Sequence, residues 1–250
     1  MKETQERVKS ILLGFPIPKK IPLSVAFGTA VITVFWVFVI ISMSLFDGIY
    51  NPFVNWMSDL GSSVLNPRGA IFFNIGCIVS GILLFPFFAG LYEWYIGSDR
   101  NKKLTKATQV AGFFSAFFMM MIGVFSEDTI ELHMTFAVLL FTVNTLTLVL
   151  PAMALYQFSF TKNIAKFAYL VLAINLILFV LITPIVEWVT ITTSFMFIAL
   201  LIQNMNKRID KYRFVRKSGI ELPPSKKQRA KMKKKKAKAK AKALAKQKAE

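Results

Sequence analysis

Residues 55–81 read NWMSDLGSSVLNPRGAIFFNIGCIVSG. Up to Gly69 the stretch is polar and rich in turn formers, with Asn66-Pro67 and Arg68-Gly69 closing it. From Ala70 it becomes an apolar run carrying Asn74 and the spaced glycines Gly76 and Gly81. A turn-rich loop feeding a long apolar helix implies a membrane span whose loop packs into the mouth of a helical bundle, on the outer face of the membrane.

Composition agrees with that reading. The chain has 250 residues, 55% of them hydrophobic, and a mean hydropathy of +0.53, too apolar for an ordinary soluble domain. The net charge of +18 belongs to one end of the chain, because 19 of the 31 Lys and Arg residues follow Met205. The single cysteine, Cys77, excludes an intrachain disulfide and reads as a small packing residue within an apolar run.

Working outward, the pattern predicts an all-α polytopic membrane protein with six spans, near 22–46, 70–94, 107–125, 133–157, 165–183 and 185–205. Each has about the 17–25 residues needed to cross the hydrocarbon layer. Pro184 marks the turn between the last two. Residues 1–21 form a basic N-terminal arm, in which 8–13 suit a short interfacial helix. A cleaved signal peptide fits poorly, because the first apolar run is too long and lacks a small-residue exit.

The basic loops hold Arg100, Lys102, Lys103, Lys106, Lys162 and Lys166. The alternate loops hold Arg68 against Asp47, Asp59, Glu127, Asp128, Glu131 and Glu187. The positive-inside rule then puts both termini in the cytoplasm of a cell-membrane protein. Tyr50, Trp56, Tyr92, Trp94, Tyr95 and Trp188 fall near span ends, where amphipathic rings favour the headgroup zone.

Residues 206–250 are a Lys/Ala-rich cytoplasmic tail. Lys226, Lys227, Arg229, Lys233, Lys234, Lys235 and Lys236 head a run without an acid as far as Lys248. With hardly an apolar residue to bury, such a run stays disordered, or a fluctuating helix, until an anionic partner neutralises it. The partner classes are anionic lipid headgroups or ribosomal RNA bound without sequence specificity.

The polar residues of the alternate loops are the candidate site: Ser58, Asp59, Gly61, Arg68, Asn74, Glu127, His133 and Glu187, with Asp128 beside them. His133 is the chain's only histidine. With Asp59, Asp128 or Glu187 it has the elements of acid–base chemistry. The more economical reading is structural: a hydrogen bond between His133 and the 58–59 loop. Glu187 interrupts an apolar run and needs a partner, for which Arg68, Asn74 and His133 are the candidates. No spaced metal-ligand motif, phosphate loop, nucleophile elbow or cofactor motif is present, so no metal and no cofactor is expected. Pro86 and Pro151 predict kinks within spans, and the small residues Gly76, Cys77, Ser80 and Gly81 predict close helix packing.

The run Ser58-Asp59-Leu60-Gly61, then Asn66-Pro67, then Phe73-Asn74-Ile75-Gly76 and Gly81, resembles the membrane family called domain of unknown function 998. Gly123-Val124-Phe125 followed by His133 is similar to that family's G-x-F…H element, and Glu187 stands where the family carries an acidic residue. Trp188 stands where members often carry Arg. The resemblance covers roughly residues 22–205 and extends to the wider DRAM-, FRAG- and SFK-type six-span group. It implies a six-helix membrane protein without an established reaction, and a lipid-related role in the wider group. The function expected is lipid binding, lipid sensing or scaffolding; the alternative is an enzyme acting on a lipid or headgroup at the outer mouth through His133 and the nearby carboxylates.

Overall fold

The computed structural model describes residues 21–94, 99–156 and 161–217. The chain divides into two units, Pro18–Ile209 and a second made of Met1–Ile17 with Asp210–Glu250. The first is the helical body; most of the second, including the N-terminal arm and the Lys/Ala tail from residue 218 on, lies outside the described residues.

Every regular element among the described residues is helical: α1 (Leu23–Ser44), α2 (Ala70–Gly90), α3 (Asp99–Val124), α4 (Ile130–Tyr156), α5 (Lys162–Leu178) and α6 (Pro184–Lys217), with short 3₁₀ turns at Ser58–Gly61, Leu91–Trp94 and Glu127–Thr129. In hydrocarbon, a helix is the way for a single segment to satisfy its own backbone, and that dictates helices from these apolar runs. Five of the six helices are long and apolar enough to cross a membrane. The chain is a membrane protein of the multi-pass kind.

Three features differ from the sequence expectation. The fifth span is expected over 165–183, but α5 (Lys162–Leu178) starts and ends earlier and has 17 residues, at the short end of the length that crosses. Hydrogen bonds from Phe179, Val180 and Leu181 back to Leu176 and Ile177 end it in a turn. Second, α3 begins at Asp99, so Lys102, Lys103 and Lys106 lie on helix rather than in a loop. Third, α6 continues unbroken to Lys217, past the expected boundary at 205. Pro184 sits at the first position of α6, where its missing N–H has no intrahelical partner to lose and its φ already suits a helix.

Consecutive helices pack side by side from α1 to α5. The last helix packs on the first: the rings of Phe35 and Phe195 stack at 4.5 Å. A hydrophobic cluster at the end away from the 45–69 loop contains Val25, Leu84, Phe87, Leu155 and Leu201. A second lies beneath that loop and contains Phe35, Phe73, Cys77, Ile122 and Trp188. Two loop residues, Met57 and Leu60, belong to it and are 1% and 0% exposed. The loop is therefore plugged into the bundle, as its sequence implied. Pro86 and Pro151 both lie inside helices.

The middle of the body is joined by amides. Asn144 of α4 donates to Asn175 of α5 at 3.3 Å and to Ser194 of α6 at 3.1 Å. Asn175, fully buried, donates in turn to the Phe141 carbonyl and to Thr145 Oγ1. In an apolar medium these groups have nothing else to bond, so they clamp three helices together.

Candidate functional site

The loop is held by Asn66, whose side chain is completely buried. Its Nδ2 donates to the Ser42 carbonyl at 3.2 Å, to Ser42 Oγ at 2.9 Å and to the Leu60 carbonyl at 3.0 Å. Its Oδ1 accepts from Gly69 N at 3.1 Å. One amide thus ties the end of α1, the 3₁₀ turn and the entry to α2. Gly69 has to be glycine for this: a Cβ there would stand 2.4 Å from Asn66 Nδ2 and 2.6 Å from the Ser42 carbonyl.

The carboxylates fall into distinct roles. Asp59, 6% exposed, accepts from Trp56 N at 2.9 Å and Asn55 Nδ2 at 3.2 Å, closing its own turn. Asp128 accepts from Ser63 N and from the Ser62 and Ser126 hydroxyls, fastening the 126–129 turn to the loop. Glu127 is half-buried beside Asp59, and its Oε2 is buried with no hydrogen-bond partner. Glu187, 9% exposed, accepts from Met57 N at 2.8 Å.

Several expected partnerships are corrected. Arg68 pairs with Asp47 on the surface, not with Glu187. Asn74 donates to the Gly61 carbonyl at 3.0 Å and holds the loop, not Glu187. His133 Nδ1 lies 2.8 Å from the Phe125 carbonyl. A carbonyl only accepts, so Nδ1 carries the proton; the bond ties α4 to the end of α3, and the expected bond to the 58–59 loop is not the one made. Trp188, expected at the headgroup zone, is buried. Its Nε1 donates to Tyr50 Oη at 2.9 Å, and Tyr50 donates to the Trp56 carbonyl at 2.7 Å. Burial pushes the Tyr50 hydroxyl well above the usual phenol range. This chain of rings joins α6 to the loop.

Of the candidates, three meet at one place. Ser58, His133 and Glu187 line the loop end of a cavity of about 160 Å³ inside the bundle. Along α4 the lining runs from His133 to Leu155, a length of roughly 33 Å at 1.5 Å per residue. Phe35, Cys77, Leu84, Leu140, Ile191 and Leu201 show its character, which is mostly apolar. Asn144, Thr147 and Ser194 touch it midway, already bonded to one another or to backbone. Asp59, Glu127 and Asp128 do not line it. Among the described residues no group of three His, Cys, Asp or Glu is arranged to hold a metal ion. Sequence reasoning missed Asn66, Ser42, Asn144 and Asn175. The rule that sent Asn74 into the bundle, an amide in hydrocarbon needing a partner, also applies to Asn144 and Asn175.

The model of the family "Protein of unknown function (DUF998)" matches residues 29–204. The chain belongs to this family. The DUF998 match takes in the plugged loop, His133, Glu187 and the whole cavity lining, and ends before the basic stretch that follows Met205. No curated protein and no solved structure matches the chain.

Proposed function

We propose that this DUF998 protein is a lipid-binding protein whose bundle takes up one long alkyl chain. The observation that carries the reading is the shape of the cavity: about 160 Å³ drawn out along nearly the whole of α4. A slot drawn out over this length and lined mostly by apolar side chains suits an extended alkyl chain. Filling it with alkyl carbons is worth about 4 kcal/mol, at ~24 cal/mol per Å³ of cavity removed. Six spans, both termini in the cytoplasm and the plugged loop outside complete the proposed arrangement. We also propose that the family belongs with the wider DRAM-, FRAG- and SFK-type group, a reading that the order of loop and spans supports.

The test is the composition of bound lipid after purification in mild detergent. Close to one single-chain amphiphile per protein is expected by mass spectrometry. Ala137→Phe puts a ring among the cavity-lining residues one turn below His133 and should lower that occupancy at least fivefold, with the elution position on size exclusion unchanged. Equal occupancy in both proteins, or bilayer phospholipid alone in both, overturns the reading.

We further propose that the tail, with Lys226, Lys227, Arg229 and Lys233 to Lys236 at its head, rests on anionic lipid headgroups, each lysine near the surface adding about 1 kcal/mol. Nanodiscs with anionic lipid should bind the full chain several-fold more tightly than a chain ending at residue 217, with the difference gone at high salt. Tighter binding to RNA than to the nanodiscs at every salt concentration would assign the tail to nucleic acid.

A further inference from the structure

An alkyl chain that moves from bilayer hydrocarbon into an apolar cavity does not leave water, so hydrophobic transfer does not select it. Selection has to come from the polar end. Asn101, Thr105 and Thr108 line the far end with neutral groups; the loop end is Ser58, His133 and Glu187, and its chemistry is one-sided. Glu187 is buried and, among the described residues, accepts one hydrogen bond, from Met57 N at 2.8 Å. The only ion pair among the described residues is Arg68 with Asp47, both exposed, so no side-chain cation answers Glu187. Asp59 lies close enough to add to the negative field around it. The Nδ1 proton of His133 is already given to the Phe125 carbonyl.

A buried carboxylate is costly unless it is neutralised or paired. The surrounding carboxyl groups repel a carboxylate or phosphate head and attract a cation. A primary ammonium is the smallest such head, with three N–H donors. The Glu187 carboxylate and the Ser58 hydroxyl are acceptors lining the same end of the slot.

We propose that the loop end of the cavity is a head-group subsite for a long-chain primary amine, with Glu187 as its counter-ion and Ser58 as a second acceptor. This rests on the single-chain reading above and adds the chemical class of the ligand. The Met57 N–H holds the carboxylate in place. The rest of the chain runs past Cys77 and Leu140 toward Leu201.

The test uses the full-length protein in detergent at neutral pH and three chain-matched probes: hexadecylamine, 1-hexadecanol and hexadecanoate. Binding is followed by calorimetry. Hexadecylamine should bind at least tenfold tighter than 1-hexadecanol, and hexadecanoate weakest of all. Glu187→Gln keeps an acceptor for Met57 N but removes the charge. It should cost the amine tenfold or more and leave 1-hexadecanol within twofold, which also shows that the variant is folded. If E187Q does not fold, the order of the three probes on the unaltered protein decides alone. Hexadecanoate or 1-hexadecanol binding as tightly as the amine overturns the amine subsite and leaves the single-chain reading standing. Binding of none of the three overturns both.

Discussion

Asn66→Ala should destabilise the helical body by about 3 kcal/mol or more, since the four hydrogen bonds of the buried amide are lost and each is worth about 0.5–1.5 kcal/mol net. The side chain is 0% exposed, and its loss strips donors from the Ser42 and Leu60 carbonyls and an acceptor from Gly69 N. In a body of this size that corresponds to a fall of roughly 6–12 °C in melting temperature, read as loss of the folded peak on size exclusion after heating in detergent. Asn66→Asp should be as damaging although it is nearly the same shape. A carboxylate has no N–H to give to those carbonyls and would face their lone pairs. Gly69→Ala should reproduce the effect from the other side, because its methyl group would occupy the place of the Asn66 amide. Arg68→Ala, one residue away, removes an exposed ion pair and should change stability by no more than about 0.5–1 kcal/mol. If the Arg68 and Asn66 variants melt together, the amide does not hold the loop.

The contrast between Asn66 and Arg68 shows what the sequence made legible. The plugged loop could be read because turn formers followed by an apolar run mean a loop entering a span, and because Met57 and Leu60 are apolar residues inside a polar stretch. The importance of Asn66 could not be read, because most of the groups it bonds are main-chain atoms, which no letter records. Glu187 shows the same limit. The search for its partner went through side chains, and the donor is a peptide N–H. The three candidates that share the cavity, Ser58, His133 and Glu187, come from three separate segments. Their grouping was foreseen only as a convergence of loops. The extent of α3 was missed for another reason. Hydropathy reports where a segment prefers to be solvated, and the polar first turns of α3 are helical without being apolar. The clamp of Asn144 with Asn175 was within reach of the rule applied to Asn74.

Gly123→Ala should be among the most damaging single methyl groups that can be added between α2 and α3. A Cβ at Gly123 would stand 2.4 Å from the Asn74 carbonyl oxygen, which is backbone and cannot rotate away. The same helix pair makes a reciprocal contact further along: a Cβ at Gly81 would stand 2.8 Å from the Ala116 carbonyl oxygen and 2.9 Å from Met120 N. In each direction the glycine of one helix lies against the main chain of the other, the arrangement small residues permit in spans. Relief requires the helices to part, and parting them opens gaps along their shared face. Overpacking in a tight core costs about 1–3 kcal/mol, and main-chain atoms among the obstacles put each variant at the upper end of that range. The double variant Gly81→Ala with Gly123→Ala should cost less than the sum of the two, because helices already separated at one contact accept the second methyl group more readily. Ile82→Ala, beside Gly81 but half-exposed on the outside of the bundle, should leave the melting temperature nearly unchanged. Additive losses in the double variant would mean that the two contacts yield independently, and that α2 and α3 flex locally instead of moving as rods. Asn74 makes the difference matter for binding. Its carbonyl meets Gly123, while its side-chain amide holds Gly61 of the loop. A rigid separation at Gly123 would therefore also loosen the plug and weaken retention of a bound chain, as the Ala137→Phe variant should, but without placing any atom in the cavity.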